Sequence, residues 1–197
     1  MTPLFAAAFE LQTFMGRQNW SFCIIGGVAL LRWGKPRLTR DVDVSLLTGF
    51  GAEDRFIEPL LAAGYKPRIP DAAAFARKNR VLLIESSAGV PIDLGLAALP
   101  YEYLVVDRST LYEFEPGCEL RTCSAEDLMV LKLFASRPRD IIDVESVADR
   151  MRESLDWDYV AAQLGPLAEL KEDPTIMARL EALRHGNARG DSHTIAQ

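Results

Sequence analysis

The sequence has few cysteines, a deficit of positive charge and no long apolar run, and each shortage removes a class of function. Three cysteines among 197 residues, Cys23, Cys118 and Cys123, are an odd number. They form neither a disulfide framework nor a four-ligand zinc spacing, and they suit a reducing cytoplasm. Lys and Arg number 22 against 28 Asp and Glu, a net charge of −6. That balance argues against coating nucleic acid through bulk electrostatics, although a local basic patch can still grip a phosphate or a tRNA backbone. No apolar stretch approaches the roughly 20 residues needed to span a bilayer, so no membrane role is expected. The opening "MTPLFAAAFELQTFMG" lacks a basic leader and carries Glu10. Its apolar residues fall three or four apart, the spacing of an amphipathic helix and not of an export signal.

What is present is ordinary for a self-folding protein: 49% apolar and 25% charged residues, with no repeat or low-complexity tract. The length suits one sizeable core with a helical extension. Spacing predicts a helix over 3–18, then a buried strand "SFCIIGG" ending at paired glycines, then a short helix "VALLRWG" stopped by Gly34 and Pro36. "DVDVSLL" reads as a second strand, and 52–63 as a helix whose middle is disturbed by Pro59. "KNRVLLIESS" and "GVPIDLGLA" form one expected hairpin and "LYEFEPGCELRTC" another, with "PYEYLVVDRS" ambiguous between them. From Ser124 onward the spacing is helical throughout, opening on a Ser124/Asp127 capping box. The expected organisation is an α+β core over 1–123, a helical region over 124–184 and a disordered tail over 185–197.

The chemistry concentrates in "LTRDVDVSLL". Acidic residues are depleted in strands and costly to bury unpaired, yet Asp41 and Asp43 alternate with valines there. Two apart in a strand, their side chains leave one face with Cα atoms about 7 Å apart. A strand edge with two carboxylates suits a hard cation such as Mg²⁺, which is commonly held by one or two carboxylates together with substrate phosphates. An isolated Asp-x-Asp is more often a polar strand face, but three neighbours sharpen this one. Gly26 and Gly27 close the preceding strand and open a helix, where backbone N–H groups and the helix dipole can cradle a phosphate. Asp93 interrupts the apolar run of "VPIDLGLA"; beside the first strand it would supply a third carboxylate, enough for two metals roughly 3.5–4 Å apart. In "DLMVLKLFASRPRDIIDV", Lys132, Arg137 and Arg139 can reach phosphate and Asp140 and Asp143 can orient them, or all five can form a solvated face of surface ion pairs.

A glycine pair, a two-Asp strand and a later "PIDL" resemble the signature of polymerase-beta-type nucleotidyltransferases, across roughly residues 20–148. The "DLMVLKLFASRPRDIIDV" stretch is similar, more narrowly, to AbiEii/AbiGii-like toxin nucleotidyltransferases. The resemblance implies a small mixed β-sheet core flanked by helices. It implies Asp41, Asp43 and Asp93 as metal ligands and catalytic residues, Asp93 also as the base. Gly26, Gly27, Arg40, Lys132, Arg137 and Asp140 would bind the nucleotide, with Mg²⁺ or Mn²⁺ as cofactor and an NTP such as ATP as co-substrate. Many relatives carry Gly-Ser where this chain has Gly26-Gly27, so a phosphate-touching hydroxyl is missing.

The function implied is transfer of an NMP to a hydroxyl of tRNA or protein by a cytoplasmic toxin with an antitoxin partner. An aminoglycoside acceptor, favoured by the acidic balance, and a non-catalytic nucleotide- or partner-binding protein are the alternatives. A bland scaffold in which Asp41 and Asp43 pair with Arg37 and Arg40 is disfavoured, because surface pairs contribute little.

Overall fold

The computed structural model describes residues 1–186, so the tail expected over 185–197 lies, from 187 on, outside the described residues. The chain divides into two compact units: Met1–Arg32 with Arg37–Ser124, and Trp33–Pro36 with the chain from Ala125 onward.

The first unit is a mixed α/β structure. Its elements in chain order are α1 (Pro3–Arg17), β1 (Phe22–Ile24), α2 (Gly26–Trp33), β2 (Val42–Leu47), α3 (Asp54–Ala62), β3 (Lys66–Pro67), α4 (Ala72–Asn79), β4 (Val81–Glu85), β5 (Pro91–Ala97), α5 (Pro100–Asp107), β6 (Thr110–Glu115) and β7 (Cys118–Thr122). The seven strands form one sheet in the order β3-β4-β5-β2-β1-β7-β6. β2 lies parallel to β5 and antiparallel to β1, which in turn runs parallel to β7 through Ile24 and Thr122. The two expected hairpins form as β4/β5 and β6/β7.

The alternation seen in the sequence sets the core. Val42, Val44 and Leu46 of β2, Leu82 and Ile84 of β4, and Ile92, Leu94 and Leu96 of β5 are buried with Leu11 and Met15 of α1. Full burial of each such side chain contributes roughly 1.5–3 kcal/mol. Thr2 caps α1 by accepting the Phe5 N–H, and Pro3 sits in the first turn, where its missing N–H costs nothing. Pro59 does not break α3: Ile57 and Leu60 are buried on one side of it, and the Ala63 N–H still bonds the Pro59 carbonyl at 2.9 Å.

Two helices and a strand escape the sequence pattern. α4 is alanine-rich with little apolar periodicity, and it is bounded by Asp71 and Arg80 in left-handed conformation. The Arg80 guanidinium fastens its end, bonding Thr48 Oγ1 at 3.1 Å and the Gly49 carbonyl at 2.8 Å and pairing with Glu53. β3 has two residues, too few to carry a pattern. The ambiguous segment is helix α5; Pro100 opens it, and the Glu102 carboxylate accepts the N–H groups of Ala98 at 2.7 Å and Leu99 at 2.8 Å.

All three cysteines are buried thiols. Burial, and then Glu115, pushes the Cys118 thiol up, away from the nucleophilic thiolate. The cysteines are therefore expected to resist a thiol reagent such as DTNB in the native protein and to react in full once it is unfolded in guanidinium; rapid native labelling of Cys118 would contradict this packing.

The second unit is helical: α6 (Ala125–Ala135), α7 (Pro138–Met151), α8 (Trp157–Lys171) and α9 (Thr175–Arg184). α6 is its centre, touching the other three. Leu128, Met129, Val130 and Leu133 are wholly buried, and the two charged residues among them, Asp127 and Lys132, are buried as well. Each is partnered, as burial of charge requires. Asp127 accepts the Tyr159 hydroxyl at 2.7 Å, and the Lys132 ammonium donates to Asp143 at 2.7 Å and Asp140 at 3.1 Å.

Candidate active site

Asp43 and Asp93 are direct partners across the parallel β2/β5 pair. Partners in register stand on one face of the sheet, on strands about 4.8 Å apart. Val42, Val44, Ile92 and Leu94 on either side of them are buried, while both aspartates are half-buried. The alternation therefore points the acids out of the core, as the sequence predicts. Asp41 is the residue before β2, also half-buried, and its Oδ1 accepts the Thr39 hydroxyl at 3.3 Å.

The glycine pair sits against this edge. The strand ends at Ile24, before the glycines, and the helix begins at Gly26 itself, two residues earlier than expected. Asp43 Oδ2 accepts the Gly27 N–H at 3.3 Å, so a carboxylate rests at the positive end of α2. Gly26 has φ +60°, in the left-handed region. A Cβ on Gly26 would lie 1.9 Å from Asp43 Oδ2, and one on Gly27 would lie 2.2 Å from Thr39 Oγ1. Neither position can carry a side chain while Asp43 and Thr39 stay in place. The glycines thus have a second use besides backbone approach: they make room for the acid-bearing segment.

Asp93 is engaged from the other side, its carboxylate paired with the Arg68 guanidinium. Arg68 follows β3, and its N–H bonds the Leu83 carbonyl at 3.1 Å. Arg40 is exposed beside Asp41 in the chain. The other residues expected to bind nucleotide, Lys132, Arg137 and Asp140, belong to the helical unit: Lys132 and Asp140 are paired there, and Arg137 precedes α7 as its N-cap. Sequence reasoning passed over two residues of this site. Thr39 lay within the very stretch that drew attention to the aspartates, and only its place between glycine and carboxylate sets it apart. Arg68, in "KPRIP", belongs to no motif, and only the three-dimensional pairing reveals it.

A family described as "Nucleotidyltransferase of unknown function (DUF6036)" matches residues 2–174. The chain belongs to this nucleotidyltransferase family. Among solved structures, a nucleotidyltransferase-like antigen from Paracoccidioides brasiliensis is similar with a TM-score of 0.51 at 16% identity, over 90% of this chain and 92% of that one. That likeness concerns the fold. The lincosamide antibiotic adenylyltransferase LnuA, solved with lincomycin, gives a TM-score of 0.47 at 16% identity over 72% of this chain and 94% of its own. ANT(2")-Ia, solved with adenylyl-2"-tobramycin, gives 0.49 at 15% over 93% and 98%. No curated protein matches the sequence.

The donor types of this nucleotidyltransferase fit a hard divalent ion in their chemistry: carboxylates from Asp41 and Asp43 at the start of β2 and from Asp93 on the neighbouring β5. Their present engagements are with Thr39, Gly27 and Arg68. In that arrangement no group of three His, Cys, Asp or Glu side chains among the described residues is gathered to hold a metal. Two carboxylates with substrate phosphates suffice for Mg²⁺; Asp93 gives one of its two oxygens to Arg68.

Proposed function

We propose that this protein transfers a nucleoside monophosphate from an NTP to a hydroxyl acceptor, with the site built on Asp41, Asp43 and Asp93. The observation that carries the proposal is the register of Asp43 against Asp93 in front of the N-terminus of α2. A Mg²⁺ or Mn²⁺ ion held by these carboxylates would supply charge neutralisation to the triphosphate and to the departing pyrophosphate. The chain's own contribution begins at the glycine turn, where the positive end of α2 attracts phosphate oxygens once the Asp43 carboxylate turns from the Gly27 N–H to the ion. Arg40 adds a flexible cation beside them. Asp93, once released by Arg68, accepts the proton of the acceptor hydroxyl. The hydroxyl oxygen then bonds the α-phosphorus, and the bond from that phosphorus to the β-bridging oxygen breaks to release pyrophosphate.

For the acceptor, the likeness of the α6–α7 stretch to the toxin family supports a hydroxyl on tRNA or protein, with an antitoxin as partner. The net charge of −6 supports a polycationic aminoglycoside instead. The Arg68–Asp93 pair supports a second reading, nucleotide binding without turnover. One experiment separates them: each α-labelled NTP is incubated with bulk tRNA, with a protein extract or with an aminoglycoside, in Mg²⁺, in Mn²⁺ and in excess chelator. Label is expected in one acceptor class, and chelation is expected to abolish it. Transfer that persists in chelator would reject the metal site; NTP binding by calorimetry with no transfer to any class would establish the non-catalytic reading.

A further inference from the structure

We propose that Thr39 is the positioning residue for the Asp41 carboxylate, and that the bare Cα of Gly27 is what seats it there; this rests on the metal-dependent reading above. Asp41 lies just outside β2, whose pairing with β5 starts at Val42, so no ladder hydrogen bond fixes its backbone. The same loop runs without regular structure from Lys35 to Arg40. A carboxylate in such a place wanders unless a neighbour holds it. Thr39 Oγ1 donates to Asp41 Oδ1 at 3.3 Å.

The hydroxyl is itself fixed by packing. A Cβ built on Gly27 meets Thr39 at three atoms, Oγ1 at 2.2 Å, Cβ at 2.9 Å and Cγ2 at 3.6 Å, so the threonine rests on the glycine's Cα. Its branched side chain is stiff about χ1, and contact of one face with the helix start restricts the rotamers open to it. Gly26 accommodates Asp43 in the same way. The pair of glycines therefore aligns two carboxylates, one directly and one through threonine.

Outer residues that hydrogen-bond a metal-binding carboxylate typically affect metal affinity or activity by 10–100-fold. Thr39→Val keeps the branched shape on Gly27 and removes the hydroxyl; Thr39→Ser keeps the hydroxyl. Calorimetric titration with Mn²⁺ alone, without nucleotide, is expected to show about 10–100-fold weaker binding in Thr39→Val and wild-type binding in Thr39→Ser. Equal binding by Thr39→Val and wild type, or a serine variant as weak as the valine one, would overturn the proposal. Crystal structures of both variants read the claim without metal: the Asp41 carboxylate is expected to leave its place in Thr39→Val and keep it in Thr39→Ser. An unmoved carboxylate in Thr39→Val would overturn the role of Thr39. If the wild type takes up no Mn²⁺ either alone or with a non-hydrolysable NTP analogue, the metal-dependent reading fails, and the two structures still decide what Thr39 does.

Discussion

Gly26→Ala is expected to cost both stability and activity, although it adds one methyl group. At φ +60° an alanine carries left-handed strain of roughly 1–2 kcal/mol. The larger effect is steric. The new Cβ would stand 1.9 Å from Asp43 Oδ2, 2.5 Å from its Cγ and 2.7 Å from its Cβ, so rotating the carboxylate alone gives no relief. Asp43 must leave the Gly27 N–H, and α2 loses the acceptor at its N-terminus. Displacement of a reacting group by about 1 Å can cost on the order of 10²-fold in rate, and a loss of at least that size is expected in the transfer assay. Gly16→Ala is the control, since nothing lies within 4 Å of its added methyl and its position is helical. It should be neutral or stabilising by up to about 1 kcal/mol in thermal or urea unfolding. Full activity in Gly26→Ala would show that Asp43 does not act from this position.

Lys132→Met is expected to give the largest loss of stability. The lysine is 6% exposed and bridges Asp140 and Asp143 inside the helical unit. Methionine fills the space of the stem but removes the ammonium. Asp143, 2% exposed, then loses the ammonium that bonds it at 2.7 Å. Removing one partner of a buried pair typically costs about 3–5 kcal/mol, because the charge left behind has lost both water and its partner. Urea unfolding read by circular dichroism should show that loss. The triple variant Lys132→Met, Asp140→Asn, Asp143→Asn should recover a large part of it, since the penalty comes from stranded charge. A wild-type midpoint in Lys132→Met would mean that the pairs carry no stability.

The acids and the strands that carry them were legible because their pattern is local: valine alternates with aspartate in β2, and apolar residues bracket Asp93 in β5. That the strand of Asp93 lies beside that of Asp43 was inferable only as a condition, and the β2/β5 register shows that adjacency for these two acids. The β4/β5 and β6/β7 hairpins announced themselves through Ser-Ala-Gly and Pro-Gly turns. α4 was invisible, since alanine favours helix without marking a face, and its C-terminal end is secured by Arg80 contacts with residues far along the chain. The use of the glycine pair was half legible. Their freedom at a strand-to-helix turn could be read from residue type, but not that Asp43 and Thr39 occupy the space they leave. Lys132 shows the opposite limit: an apolar stripe with one cation permits a reach to phosphate or a closed internal pair, and only the placement of α7 supplies its two acids.

The sheet joins β1 to β7 by Ile24 and Thr122, and the Cys123 N–H bonds the Ile24 carbonyl at 3.0 Å. During synthesis the first strand must wait, one edge open, until nearly the whole unit has left the ribosome. Non-local closure of this kind is slow and exposes strand edges to other chains. Fragments that stop short of Cys118 would retain the aspartates and both glycines yet leave β1 unpaired on one side, so the support of the glycine turn depends on the last strand translated.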